Sequence, residues 1–169
     1  MDDPSIYRST IGALQYLALT RPNIAYIVSK LSQFLHYPTT AHWQGCKRVL
    51  KYLKGTATHG VNFKKGSSRT LALQDFSNAD WASCLDDKWS TGAYCVHLSS
   101  SLVSWSSKKQ TVVARSSTKS KYTLAHVTAE IMWLKTLIQE MHIPIQNTPI
   151  IWCDKFGVAS LAANPVHHA

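Results

Sequence analysis

Thr91-Gly92-Ala93-Tyr94-Cys95-Val96-His97-Leu98, then Ser99-Ser100-Ser101, then Leu102-Val103-Ser104-Trp105-Ser106, is the stretch on which the fold turns. β-Branched and aromatic residues on both sides of a serine turn predict two strands joined as a hairpin. Working back, residues 70 to 78 read as another strand. Working forward, Ser116-Ser117-Thr118 offer N-cap oxygens. Leu124, Val127, Ile131, Leu134, Ile138 and Met141 then recur at spacings of three and four, the inward stripe of a long helix. Pro144 follows. Ile150-Ile151-Trp152-Cys153 is apolar throughout and predicts a buried central strand. It ends at Asp154, and a last short helix carries Val158, Leu161 and Ala162. A hairpin followed by a right-handed crossover gives a mixed sheet with helices packed on it, an α/β fold.

Ahead of this sheet, residues 5 to 56 predict three helices. Tyr7, Ile11, Leu14 and Ala18 mark the inner face of the first. Pro22 opens the second, whose apolar face is Ile24, Ile27, Val28, Leu31, Phe34 and Leu35. Pro38-Thr39-Thr40 ends it and caps the third, expected to bury Trp43, Cys46, Leu50 and Leu53. Gly66-Ser67-Ser68 marks a boundary, which divides the chain into a helical segment, 1–65, and a sheet domain, 66–169.

The 169 residues carry a net charge of +9, from 18 Lys and Arg against nine acids. That balance suits a polyanionic partner or a plainly basic surface. Lys47, Lys51 and Lys54 share one flank of the third helix, Arg48 lies further round, and Lys64, Lys65 and Arg69 follow in the linker. No acid occurs from Ala41 to Gln74. The stretch therefore reads either as a nucleic-acid contact or as a solvated face and charged linker. No apolar run is long enough for a membrane span. Met1-Asp2-Asp3-Pro4 opens neither a signal nor a transit peptide, so an intracellular protein is expected. Cys46, Cys84, Cys95 and Cys153 form no C-x-x-C pair and read as buried thiols.

Several motifs occur in one order. Tyr7-Arg8-Ser9, Gly12, Tyr16-Leu17, Thr20-Arg21-Pro22, His42-Trp43, Lys47-Arg48 and Tyr52-Leu53-Lys54-Gly55-Thr56 resemble the segment that closes the reverse transcriptase of copia-type retrotransposons. Asp80-Trp81-Ala82, Asp86-Asp87, Ser90-Thr91, Ser104-Trp105-Ser106-Ser107-Lys108-Lys109-Gln110, Ser116-Ser117-Thr118 and Trp152-Cys153-Asp154 resemble the ribonuclease H domain of the same Pol polyprotein. The resemblance runs from about Tyr7 to Pro165. It implies a ribonuclease H-like mixed sheet, truncated here before the fifth strand and preceded by three helices.

The resemblance also implies a chemistry: cleavage of the RNA strand of an RNA–DNA hybrid by paired Mg²⁺ ions held in a carboxylate cluster. The family's first carboxylate position is Asn78 in this chain, the second is Lys121, the third, Asp154, is retained, and the fourth lies in the late segment that is missing. Asparagine keeps the shape of aspartate without its charge. Lys121 either heads the inward stripe of the long helix or snorkels to solvent, and in neither case is it a magnesium ligand. Asp80 is the best substitute, on the face of Asn78 but displaced by roughly 7 Å along the strand. Glu130 is expected to face away. Asp154, with Asp80, makes a weak metal site at best, and Asp154 also suits the N-cap of the last helix. Asn23 and Ala93 depart further from the family, which usually has Asp and Gly there. The leading expectation is a ribonuclease H remnant with its activity lost. Beside it stand a non-catalytic nucleic-acid-binding module and an interaction protein derived from a transposon remnant. The open edge of the fourth strand suits self-association.

Overall fold

The computed structural model describes residues 3–65, 71–80, 89–110, 120–145 and 147–153, with the backbone alone for 120–123. The chain divides into two compact units, Met1–Val61 and Asn62–Ala169. The division falls a few residues ahead of the Gly66-Ser67-Ser68 boundary.

The first unit holds helices α1 (Pro4–Leu17), α2 (Pro22–Leu31) and α3 (Thr40–Gly55), with a 3₁₀ turn at Ser32–Phe34. Both α1 and α2 begin with proline, whose fixed φ and missing N–H suit a first turn. Asp3 caps α1 by accepting from the Ser5 N–H at 2.8 Å. Thr39 and His42 form a reciprocal capping box on α3. The core is Tyr7, Ile11, Leu14, Ile24, Val28, Leu31, Cys46 and Val49. The buried Tyr7 hydroxyl donates to the Leu31 carbonyl at 2.7 Å, tying α1 to the end of α2. A Cβ at Gly45 would lie 3.2 Å from Leu31 Cδ2, so glycine permits the close approach of α3 to α2.

Two sequence expectations are corrected here. Val49, not Leu50, is the buried residue in the middle of α3, and Leu50 is 40% exposed. α2 ends at Leu31, so Phe34 and Leu35 lie beyond it, although Leu35 still packs against the helical core. Phe34 instead stacks on the His42 ring, with centroids 3.8 Å apart.

In the second unit, β1 (Leu73–Asp80), β2 (Thr91–Leu98), β3 (Ser101–Lys109), α4 (Ser120–Glu140) and β4 (Ile150–Cys153) build a mixed sheet of order β3-β2-β1-β4. β1, β2 and β3 are antiparallel neighbours, and β4 is parallel to β1. The hairpin turns at Ser99, whose φ is +55° and whose N–H donates to the Ala72 carbonyl at 2.6 Å. β1 reaches Asp80 and β3 reaches Lys109, both further than the sequence pattern suggests. The α/β class and the hairpin-then-crossover order are as expected. α4 packs on β1 and β2, with Val127, Ile131 and Ile138 against Leu73, Tyr94 and Val96.

Met141 is 53% exposed rather than inward. α4 stops at Glu140, and His142, with φ +58°, turns the chain toward β4. β4 is also corrected. Among the described residues it is the outermost strand, with Ile150 44% and Trp152 53% exposed. A four-residue apolar run is equally compatible with an edge and a centre position, since apolarity reports burial by any neighbour and not only by strands on both sides. Among the described residues, no helix is long and apolar enough to cross a membrane. The expected last helix, Val158 to Ala162, lies outside the described residues.

Candidate metal and nucleic-acid site

β1 alternates strictly. Leu73, Asp75, Ser77 and Ala79 are buried, and Phe76, Asn78 and Asp80 are exposed. The strand persists through Asp80, so Asn78 and Asp80 do share a face. Asn78 sits opposite Ala93 of β2, and Asp80 sits opposite Thr91. The parallel pairing of β1 with β4 sets Phe76 beside Trp152 and Ser77 beside Cys153. The next residues in the two sequences are Asn78 and Asp154, and Asp154 lies outside the described residues. Lys121 is the second residue of α4, in its first turn, and its side chain also lies outside them.

The described residues hold only part of the family's metal set, since Asp154 and the Lys121 side chain lie outside them. No group of three or more His, Cys, Asp or Glu among them could hold a metal ion. Asn78 offers one neutral acceptor, where a hard divalent cation favours several charged oxygens. Asp80 stands alone on the exposed face of β1 beyond Asn78, with a methyl and a hydroxyl side chain opposite the pair. Asp75 and Glu130 belong to the opposite, α4-covered face. Glu130 was expected to face away. It is half-buried instead, and Ser104 Oγ on β3 donates to its Oε1 at 2.7 Å. A helical wheel that places Glu130 opposite Lys121 does not reveal a hydroxyl on the third strand waiting for it.

Asp75 was not singled out by the sequence. It is fully buried, and neither carboxylate oxygen has a hydrogen-bond partner among the described residues. Burial pushes its pKa up to about 6. The backbone amides of Cys95 and Phe76 offset part of that rise without reaching hydrogen-bond geometry. The period-two pattern of β1 carried the signal, because an acid in phase with Leu73 and Ala79 must face the core.

The basic residues are displayed on both units. Lys47, Arg48, Lys51 and Lys54 are all exposed on α3, with Cys46 and Val49 buried on the other side. Lys47 Nζ lies 5.7 Å from the centroid of the Trp43 ring, one helical turn before it. In the second unit Lys64 and Lys65 are exposed, and the Lys64 N–H donates to Ser101 Oγ at 3.1 Å. Arg69 lies outside the described residues. The exposed face of the sheet also carries aromatic rings whose pairing the sequence pattern does not show. Phe76 and Trp152 lie nearly parallel at 6.5 Å, and His97 meets Phe76 edge-on at 5.6 Å.

No family model matches the chain, and no solved structure matches it. Curated relatives do. The chain is 48% identical along its whole length to the retrovirus-related Pol polyprotein from transposon RE2 of Arabidopsis thaliana, and 48% identical to that from transposon RE1. It spans 12% of the length of each. It is also 45% identical, over 76% of its own length, to the secreted RxLR effector protein 161 of Plasmopara viticola, of which it covers 90%. Identity sustained across both units, in the motif order already described, places them in one lineage: the chain belongs to the family of retrovirus-related Pol polyproteins of copia-type transposons.

Proposed function

We propose that the chain is a transposon-derived, ribonuclease H-like protein without nuclease activity, which retains a basic surface for nucleic acid. The observation that carries this reading is Asn78. It stands exposed on the strand where the family places its first carboxylate, and Asp80, further along the same face, is the one carboxylate side chain β1 presents there. Lys121 occupies a second family position. Of the three family carboxylate positions within these residues only Asp154 is retained, and a lysine in the place of a ligand opposes cation binding further. The strand order β3-β2-β1-β4, with a long helix leading to the parallel fourth strand, supports the ribonuclease H-like assignment.

The binding half of the reading rests on Lys47, Arg48, Lys51 and Lys54, four exposed cations on one helix without a described carboxylate nearby. Phosphate contacts need neither metal nor catalytic acid. The two halves are tested together by titrating a fluorescent RNA–DNA hybrid with the chain in EDTA, then at matched ionic strength with Mg²⁺. The expected result is binding in both conditions with the same affinity and an intact hybrid. A gain in affinity specific to Mg²⁺, or hybrid loss, contradicts the proposal.

A further inference from the structure

Asp75 has no role in the site just described, yet its side chain is fully buried. It lies on β1 between the buried Leu73 and Ser77, with Val96 of β2 and Ile151 of β4 as its register partners. Val127, Ile131 and Ile138 of α4 close the same core from above, with Leu134 packed against it. Its side chain is fully buried, and both oxygens lack a hydrogen-bond partner among the described residues. An unpaired carboxylate in such surroundings is strongly disfavoured when charged and tolerable when protonated.

Apart from the partial offset by the Cys95 and Phe76 amides, the side chains around it do not relieve this. Tyr94 of β2, on the same face, is itself 9% exposed, with a hydroxyl pushed up by burial. Cys95 of β2 is likewise pushed up, by burial first and by the Asp75 charge second. From α4, Glu130 is a second acid, bonded to Ser104. His126 is exposed and lies against the Tyr94 ring at 5.7 Å. Lys135 is half-buried and lines an open groove with His142 and Thr148, near the start of β4. From β4, Cys153 shares the face and is exposed. Lys121 stands in the first turn of α4, toward the opposite end of β1 from Leu73, because α4 returns antiparallel to the strand and ends beside Leu71.

We propose that Asp75 is a proton-dependent latch beneath α4: the helix seats fully on the sheet when the carboxyl is neutral, and its ionisation loosens that contact. When α4 lifts, the carboxyl meets water and releases its proton to solvent; when α4 reseats, the proton is taken up again. The sign follows from linkage. The closed state holds the proton up to about pH 6, whereas an exposed carboxyl holds it only to about its ordinary value near 4. Closure is therefore favoured most below the ordinary value and weakens as pH rises toward and through 6. The loss is complete and constant from about one pH unit above that value. Lys121, on the first turn of α4, moves with the latch, so the family site and the buried acid are coupled through one helix.

The test is hydrogen exchange on the full chain at pH 5.0 and 7.5, corrected for the intrinsic chemical rate, with α1 of the first unit as internal reference. Opening of α4 between Leu124 and Ile138 is expected to be about tenfold more frequent at pH 7.5, with α1 unchanged. Asp75→Asn and Asp75→Val cannot ionise, and each should abolish the difference; Asp75→Val should also raise protection at pH 7.5. Equal protection of wild-type α4 at the two pH values overturns the latch, and that measurement stands even if neither variant folds. A pH dependence that survives in both variants overturns it too, because the effect then belongs to another group.

Discussion

Arg21 is held against Thr56, with its Nη1 donating to the Thr56 carbonyl at 3.1 Å and its Nη2 to Thr56 Oγ1 at 2.8 Å. The guanidinium is almost fully buried, yet every acceptor it meets among the described residues is neutral. The third is Asn23 Oδ1 at 3.4 Å. The contact ties the start of α2 to the end of α3. Asn23 lies in the first turn of α2, where a negative charge also suits the helix dipole. Asn23→Asp should convert a long neutral contact into a charge-assisted one and stabilise the first unit by about 1 kcal/mol. For a unit this small that raises the helical melting midpoint by about 4–8 °C. Arg21→Met should lower it by a larger margin. An unchanged or lowered midpoint for Asn23→Asp would show that the clamp is already saturated.

The basic face of α3 makes a separate prediction. Lys47→Gln, Lys51→Gln and Lys54→Gln together should weaken binding of a polyanion and flatten its salt dependence. The log–log slope should shrink by about 0.7 to 0.9 for each phosphate that no longer meets a cation. Because these side chains are exposed and opposite Cys46 and Val49, the triple variant should melt with the wild type. Affinity that ignores both salt and these changes would reduce the face to a solvated surface.

How much was legible follows from the range of each contact. Tyr7, Ile11 and Leu14, or Ile24, Val28 and Leu31, announce themselves by spacing, because a short helix buries one stripe. Thr91–Leu98 was readable end to end because it is bounded by a turn and by a change of composition. The choice of Leu50 over Val49 failed because both fit an apolar stripe of α3 with Cys46 and Leu53, and only the packing of the three helices ranks them. Glu130 and Asp75 needed the third dimension, one for its partner on β3 and the other for its lack of one. The substitution at Asn78 was visible at once, because it is a matter of residue identity. Its isolation on the exposed face needed the register of β1 with β2.

The exposed aromatic face predicts association. Phe76, Trp152 and Ile150 leave apolar surface open on one side of the sheet, and the outer edge of β4 pairs with no described strand. The net charge of +9 opposes self-contact at low salt. Sedimentation velocity should therefore show a species larger than the monomer whose fraction grows with salt and with concentration. Trp152→Lys should return it to the monomer. A chain that stays monomeric at high salt would mean that this face is covered.

Restoring the visible ligands should not restore catalysis. Asn78→Asp with Lys121→Glu returns two carboxylates beside Asp154 and removes an opposing charge. Calorimetric titration should then detect Mg²⁺ or Mn²⁺ binding that is absent in the wild type, while hybrid cleavage stays at or near background. Robust turnover by the double variant would show that three carboxylates suffice here.

The most direct measurement is single-turnover cleavage of a labelled RNA–DNA hybrid, with the chain in excess and Mg²⁺ or Mn²⁺ present. An active ribonuclease H serves as positive control, and Asp154→Ala is run alongside. No cleavage above the no-protein background is expected with either metal, and no difference between the wild type and Asp154→Ala. Metal-dependent cleavage by the wild type that Asp154→Ala abolishes would contradict it.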